Sequence, residues 1–205
     1  MIQRMPTIPS PVGQPAWELA ELFPHQGEWT EEEYLALDTN RLIELSDGRL
    51  EVLPLPTEIH QKIVFFLNKL FEAFLLRHKL GTVVAAPFPV RLWRGKMRQP
   101  DLVVLLSERD PRRGNQFWKG ADLAVEVVSP GGRKRDLKIK RAEYAKAGVK
   151  EYWIVDPSKQ TISVLFQEQP RATYSEAGEF HVGDEAKSRL LTGFRVKVKD
   201  VFKQK

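Results

Sequence analysis

Leu123-Ala124-Val125-Glu126-Val127-Val128-Ser129-Pro130 is the stretch on which the reading of the fold turns. Apart from Glu126, its first six residues are apolar, valine recurs, and Ser-Pro ends the run. Such a run reads as a strand buried on both faces, the kind found inside a sheet covered by helices. Glu126 breaks the pattern at its centre. A carboxylate in a central strand is costly unless it is paired with a cation or holds a metal. The same segment thus points to an architecture and to a place for chemistry.

Working outward, Gln99-Pro100-Asp101 leads into a second apolar strand, Leu102–Leu106, with Asp101 at its head. Thr82–Trp93 reads as the strand before it. On the other side, Lys134–Lys146 reads as a helix stopped by Gly148. Glu151–Val155 and Thr161–Phe166 read as two strands joined by a turn at Asp156–Lys159. Upstream, Ile59, Ile63, Phe66, Leu67, Leu70, Phe74 and Leu75 recur at the three-to-four spacing of an amphipathic helix over Glu58–Lys79, with Gly81 as its stop. Arg41–Leu53 is a β-hairpin about Asp47-Gly48, a favoured two-residue turn. Trp29–Leu37 is a short helix, with Thr30 and Glu33 spaced as a capping box, and residues 171–202 look like further short strands. The expected architecture is α/β: a mixed sheet flanked by helices, in the order αβββαβ, with an N-terminal hairpin. Residues 1–27 carry five prolines and read as a flexible lead-in to a single domain over 28–205.

Composition narrows the function. A hydrophobic share of 42% with 29% charged residues suits a globular protein, not a disordered one. With no cysteine, disulfides, zinc–thiolate sites and cysteine nucleophiles are excluded. No stretch approaches the roughly 20 apolar residues of a membrane span, and the N-terminus lacks an export-type apolar core. A soluble, cytoplasmic protein with no membrane partner is expected. The net charge of +5 favours polyanions weakly.

Asp101, Glu126 and Lys140 stand where packing alone would not put them. Each also has a plainer reading: a turn residue for Asp101, a buried salt bridge for Glu126, a solvated helix face for Lys140. Two basic clusters flank the carboxylates in sequence. One is Arg91, Arg94, Lys96 and Arg98; the other is Arg133, Lys134, Arg135, Lys138 and Arg141 after Gly131-Gly132. A glycine-flanked basic loop entering a helix suits phosphate contact, and a solvated basic face is the plainer alternative.

Together these pieces bring a family into view. Gln99-Pro100-Asp101, then Glu126-Val127-Val128-Ser129-Pro130, Asp136-x3-Lys140-x3-Tyr144 and Gly148-Val149-Lys150-Glu151-Tyr152-Trp153 resemble the Uma family of restriction endonuclease-like proteins, within the PD-D/E-x-K nuclease superfamily. Ile43-Glu44-Leu45-Ser46-Asp47-Gly48 and His60-Gln61 match as well. The resemblance covers roughly residues 29–167 and implies a restriction-endonuclease-like fold and a metal-dependent endonuclease that hydrolyses DNA phosphodiester bonds. A catalytically weak or inactive nucleic-acid-binding module of the same fold is the alternative.

Asp101 and Glu126 would hold Mg²⁺ or Mn²⁺, hard cations that prefer oxygen, and the resemblance adds the Val127 carbonyl as a ligand. The superfamily's lysine two residues beyond the strand glutamate is replaced by Val128. Family spacing moves that role to Lys140, with Lys138 as competitor about 200° round the helix. Glu44 is a candidate extra ligand or water-orienting base, and His60 a candidate general base or phosphate contact. The resemblance implies DNA or RNA as partner, and a homodimer, because two sites are needed to cut both strands.

Overall fold

The computed structural model describes residues 23–38, 42–129 and 135–203, with side chains left out of the description at Arg135 and Asp136. Thr30 caps α1 (Glu31–Leu35), and the Glu33 carboxylate accepts from the Thr30 N–H in return, completing the capping box. β1 (Ile43–Ser46) and β2 (Arg49–Val52) form the hairpin, turning at Asp47 and Gly48, both at positive φ. α2 (Glu58–His78) starts at Thr57, whose hydroxyl accepts from the His60 N–H. Its buried stripe is Ile63, Val64, Leu67, Phe71 and Leu75.

The helix stops two residues before Gly81, on Lys79 in the left-handed conformation. Gly81 matters for close approach instead. A Cβ there would lie 1.6 Å from the Leu105 carbonyl oxygen, so only glycine lets the chain pass that strand.

The expected strand Thr82–Trp93 is two strands in two sheets. β3 (Thr82–Ala85) pairs with β6 (Leu102–Leu105), whereas β4 (Val90–Trp93) pairs with β5 (Lys96–Arg98). Pro87 and Pro89 lie between them, and proline cannot donate to a ladder. A four-stranded antiparallel sheet runs β2-β1-β5-β4. A six-stranded mixed sheet runs β10-β9-β8-β7-β6-β3, where β7 is Leu123–Val127, β8 Glu151–Asp156, β9 Thr161–Phe166 and β10 Ser175–Phe180. In that sheet β7 and β8 pair in parallel and the other neighbours antiparallel.

The expected helix Lys134–Lys146 is two pieces within the described residues: a π-helical turn over Arg135–Lys140, then α3 (Arg141–Ala147). Lys134 lies outside the described residues. Near the C-terminus β11 (Glu185–Lys187) pairs with β12 (Arg195–Lys197), followed by α4 (Val198–Phe202), a helix not expected from the sequence.

Alternation along the central strands sorts the core. Leu123, Val125 and Val127 of β7 pack with α2, while Ala124 and Val128 pack on the other face with Tyr144 and Tyr152. Likewise Leu102 and Val104 join the α2 side, and Val103 and Leu105 the α3 side. A third, smaller cluster under the four-stranded sheet contains Trp29, Tyr34, Leu45 and Met97. The C-terminal segment is held by Glu151, fully buried, which accepts from the Trp153 indole, the Ser188 hydroxyl and the Arg189 and Leu190 N–H groups at 2.6–2.8 Å.

Candidate active site

By parity, Glu126 shares the α3 face of β7 with Ala124 and Val128. The antiparallel register Leu102↔Val125, carried one residue outward, sets Asp101 beside Glu126 on that face. The Val127 N–H donates to Asp101 Oδ2 at 2.7 Å, fixing the aspartate against the end of β7. His60, placed at the head of α2 by the Thr57 cap, brings Nε2 to 3.2 Å from the same oxygen.

Lys140 and Tyr144 stand four residues apart and so share one helical face. Both reach Glu126 Oε1, the Lys140 ammonium at 2.7 Å and the Tyr144 hydroxyl at 2.6 Å. Lys140 is 2% exposed and Glu126 4%, so this is a buried charge pair. Burial and the neighbouring Glu126 charge push the Tyr144 phenol well above its usual range, so it stays protonated and donates. The sequence marks Tyr144 only as part of the family spacing; that it donates to Glu126 emerges from the structure, although the i,i+4 spacing from Lys140 carries the signal. Lys138, the competitor, is exposed, so Lys140 is the lysine that meets the carboxylates.

Glu44 is fully buried and faces three donors: the Arg98 guanidinium at 2.8 Å, the Gln99 N–H at 3.0 Å, and the Lys140 ammonium at 3.4 Å. Expected as a ligand or a base, it is placed by the structure against Lys140 and the chain entering Asp101.

The structure places Arg98 and Lys96, expected as phosphate contacts, in buried ion-pair networks. Arg98 is 1% exposed and donates to Glu44, Glu51 and Glu143. Burial pulls its pKa down, but hydrogen bonds to Glu143 and the surrounding carboxylate charges outweigh this and raise it. Lys96 is 4% exposed, donates to the Ser46 hydroxyl, and pairs with Asp47 at 3.0 Å and Glu143 at 3.2 Å. Arg91 pairs with Glu31 at 3.1 Å and lies over the Phe117 ring, while Arg94 is exposed at the β4–β5 turn. Arg133 and Lys134 lie outside the described residues, and Arg135 is described by its backbone alone.

His60, Gln99, Asp101, Glu126, Val127, Ser129 and Lys140 line one cleft with Leu42, Leu53, Pro54, Pro56 and Ala86. Among the described residues no three His, Cys, Asp or Glu side chains gather into a ready-made metal cage. The donor set is two carboxylates and neutral oxygens, including a buried Gln99 carbonyl oxygen without a hydrogen-bond partner. That chemistry fits Mg²⁺ or Mn²⁺: Mg²⁺ in particular is held by one or two carboxylates and keeps several waters. Among the described residues no helix is long and apolar enough to cross a membrane.

No curated protein matches the chain. Among solved structures, it is similar to the crystal structure of a "putative nuclease belonging to DUF820" from Anabaena variabilis. The TM-score is 0.70 at 19% identity, over 86% of this chain and 98% of that one, which establishes a shared fold. The profile of the Uma2 family, described as "putative restriction endonuclease", matches residues 31–199, a span that includes Glu44, His60, Gln99, Asp101, Glu126, Lys140 and Tyr144. The chain belongs to the Uma2 family.

Proposed function

We propose that this protein is a divalent-metal-dependent endonuclease that hydrolyses phosphodiester bonds in DNA. The observation that carries the reading is the juxtaposition of Asp101 and Glu126 across β6 and β7, in one cleft with the buried ammonium of Lys140. Asp101, Glu126 and the Val127 carbonyl would hold the cation. When bound, Mg²⁺ or Mn²⁺ supplies a water of lowered pKa and neutralises phosphate charge.

The chain's own residues do the rest. Tyr144 and Lys140 fix the orientation of the Glu126 carboxylate through Oε1. The Lys140 charge, steadied by Glu44, offsets negative charge as it develops on the phosphate. His60, against Asp101, holds a proton at Nε2 or contacts phosphate. Arg94, Lys138 and the basic stretch 133–135 are the cations assigned to the DNA backbone. A homodimer in the cytoplasm completes the reading, with one site for each strand.

The second reading, a nucleic-acid-binding module without catalysis, draws on the Glu126–Lys140 pair, which satisfies both charges without a metal. Plasmid cleavage in Mg²⁺ or Mn²⁺, abolished by Asp101→Ala and Glu126→Ala, is the expected outcome. DNA binding without cleavage in either metal would favour the second reading. Binding in Ca²⁺ across a salt series tests the substrate. Neutralising Arg94 and Lys138 should flatten the salt slope by roughly 0.9 per lost duplex phosphate contact, and undetectable binding at low salt would end the duplex-DNA assignment.

A further inference from the structure

Gln99 carries an oxygen that the fold does not use. Its backbone N–H donates to Glu44, and its side-chain Nε2 donates to the Tyr34 hydroxyl at 3.0 Å. The amide cannot be turned round without loss. Tyr34 spends its one proton on the Ile43 carbonyl at 2.9 Å, so the hydroxyl can only accept from Gln99. The amide nitrogen is therefore held toward Tyr34 and the carbonyl oxygen is turned away from it. That oxygen is buried and has no hydrogen-bond partner.

Buried polar groups in folded proteins are paired, and an unpaired one is costly, so an orphan asks for an explanation. Gln99 lines the cleft two residues from Asp101 and in company with Glu126 and Val127. An amide carbonyl oxygen is a hard, neutral ligand of the kind that completes a Mg²⁺ or Ca²⁺ sphere beside carboxylates. The described residues provide no third carboxylate or histidine cluster for that purpose.

We propose that the Gln99 side-chain carbonyl is a ligand of the divalent cation, a neutral oxygen added to the two carboxylates. This rests on the reading above that a cation sits at Asp101 and Glu126. Tyr34 is then a positioning residue: it accepts from the amide nitrogen and so presents the oxygen. The neutral ligand leaves the site with two formal negative charges instead of three. Such a site binds more weakly and releases its cation more readily than a three-carboxylate one.

The test is Mn²⁺ titration by calorimetry on the full chain without nucleic acid, alongside urea melts to establish folding. Gln99→Leu should weaken Mn²⁺ binding at least about tenfold, and Gln99→Glu, which adds a charged oxygen, should tighten it about tenfold. Asp101→Asn is the control for the underlying reading and should remove Mn²⁺ binding. If Gln99→Leu fails to fold, Gln99→Glu carries the test by itself. Affinities of both Gln99 variants within twofold of the parent, with Asp101→Asn defective, would overturn the Gln99 assignment and leave the metal site standing. A slower cleavage rate in Gln99→Leu at unchanged Mn²⁺ affinity would also overturn it, and would move the residue to substrate contact. No Mn²⁺ binding by the parent protein would overturn both.

Discussion

Lys140 and Lys138 differ by two positions and by their surroundings. One is buried against Glu126 and Glu44, the other lies in solvent. Lys140→Ala should lower the cleavage rate by about 10²–10³-fold, the scale seen when a donor to developing charge is removed. Lys138→Ala should change the rate by less than about threefold and act on the salt dependence of DNA binding instead. Equal losses in a plasmid assay would mean that the catalytic face has been misassigned. Tyr144→Phe removes a donor to a buried carboxylate and should cost about 1.5–3 kcal/mol in urea unfolding. Glu126 was legible in the sequence because a charge within an apolar strand has no cheap explanation. Arg98 and Lys96 were not: their carboxylate partners come from β1, β2, the hairpin turn and α3, dozens of positions away. A basic residue without visible partners reads by default as a surface one.

At the level of elements, Arg98 ties β5 to β1, β2 and α3 through Glu44, Glu51 and Glu143. Arg98→Ala takes from the buried Glu44 its guanidinium partner at 2.8 Å and should cost about 3–5 kcal/mol, with loss of cleavage following the loss of fold. Matched urea curves and activity at low temperature would check this; an unchanged midpoint would contradict it. Gly81→Ala should also destabilise strongly, because its Cβ would meet the Leu105 backbone of β6 and no side chain there can yield. The hairpin, α2 and the central strands could be read directly, since each carries its own period or turn chemistry. The break inside Thr82–Trp93 is signalled only by Pro87 and Pro89, since apolar residues continue on both sides of them. The π-helical turn before α3 was hidden for a different reason: its residue types are ordinary helix formers, and the widening shows only in the backbone.

At the level of the molecule, Tyr34, Tyr144 and Tyr174 are all buried with phenols raised above their usual range, chiefly by burial. The folded state therefore holds their protons where the unfolded chain, near pH 10, gives them up. Their contribution is whole below pH 10 and falls as pH rises above it. The slope is about 1.4 kcal/mol per pH unit for each phenol, or about 4 kcal/mol for three. Unfolding midpoints measured from pH 9 to 11.5 should drop accordingly, and Tyr174→Phe should lessen the slope by about one third. A flat profile would show that the phenols ionise in place.

The four-donor setting of Glu151 bears on how short this chain can be made. Cutting after residue 183 would take away the Ser188 hydroxyl and the Arg189 and Leu190 N–H groups, leaving a deeply buried anion with the Trp153 indole alone among those four donors. It would also unroof Phe71 and Trp153, which pack on Phe194. Residues 184–203 thus serve as a cover fastened to β8 through Glu151. Trimming experiments should find a sharp loss of soluble product at this boundary, and adding Glu151→Gln to the shortened chain should recover part of it.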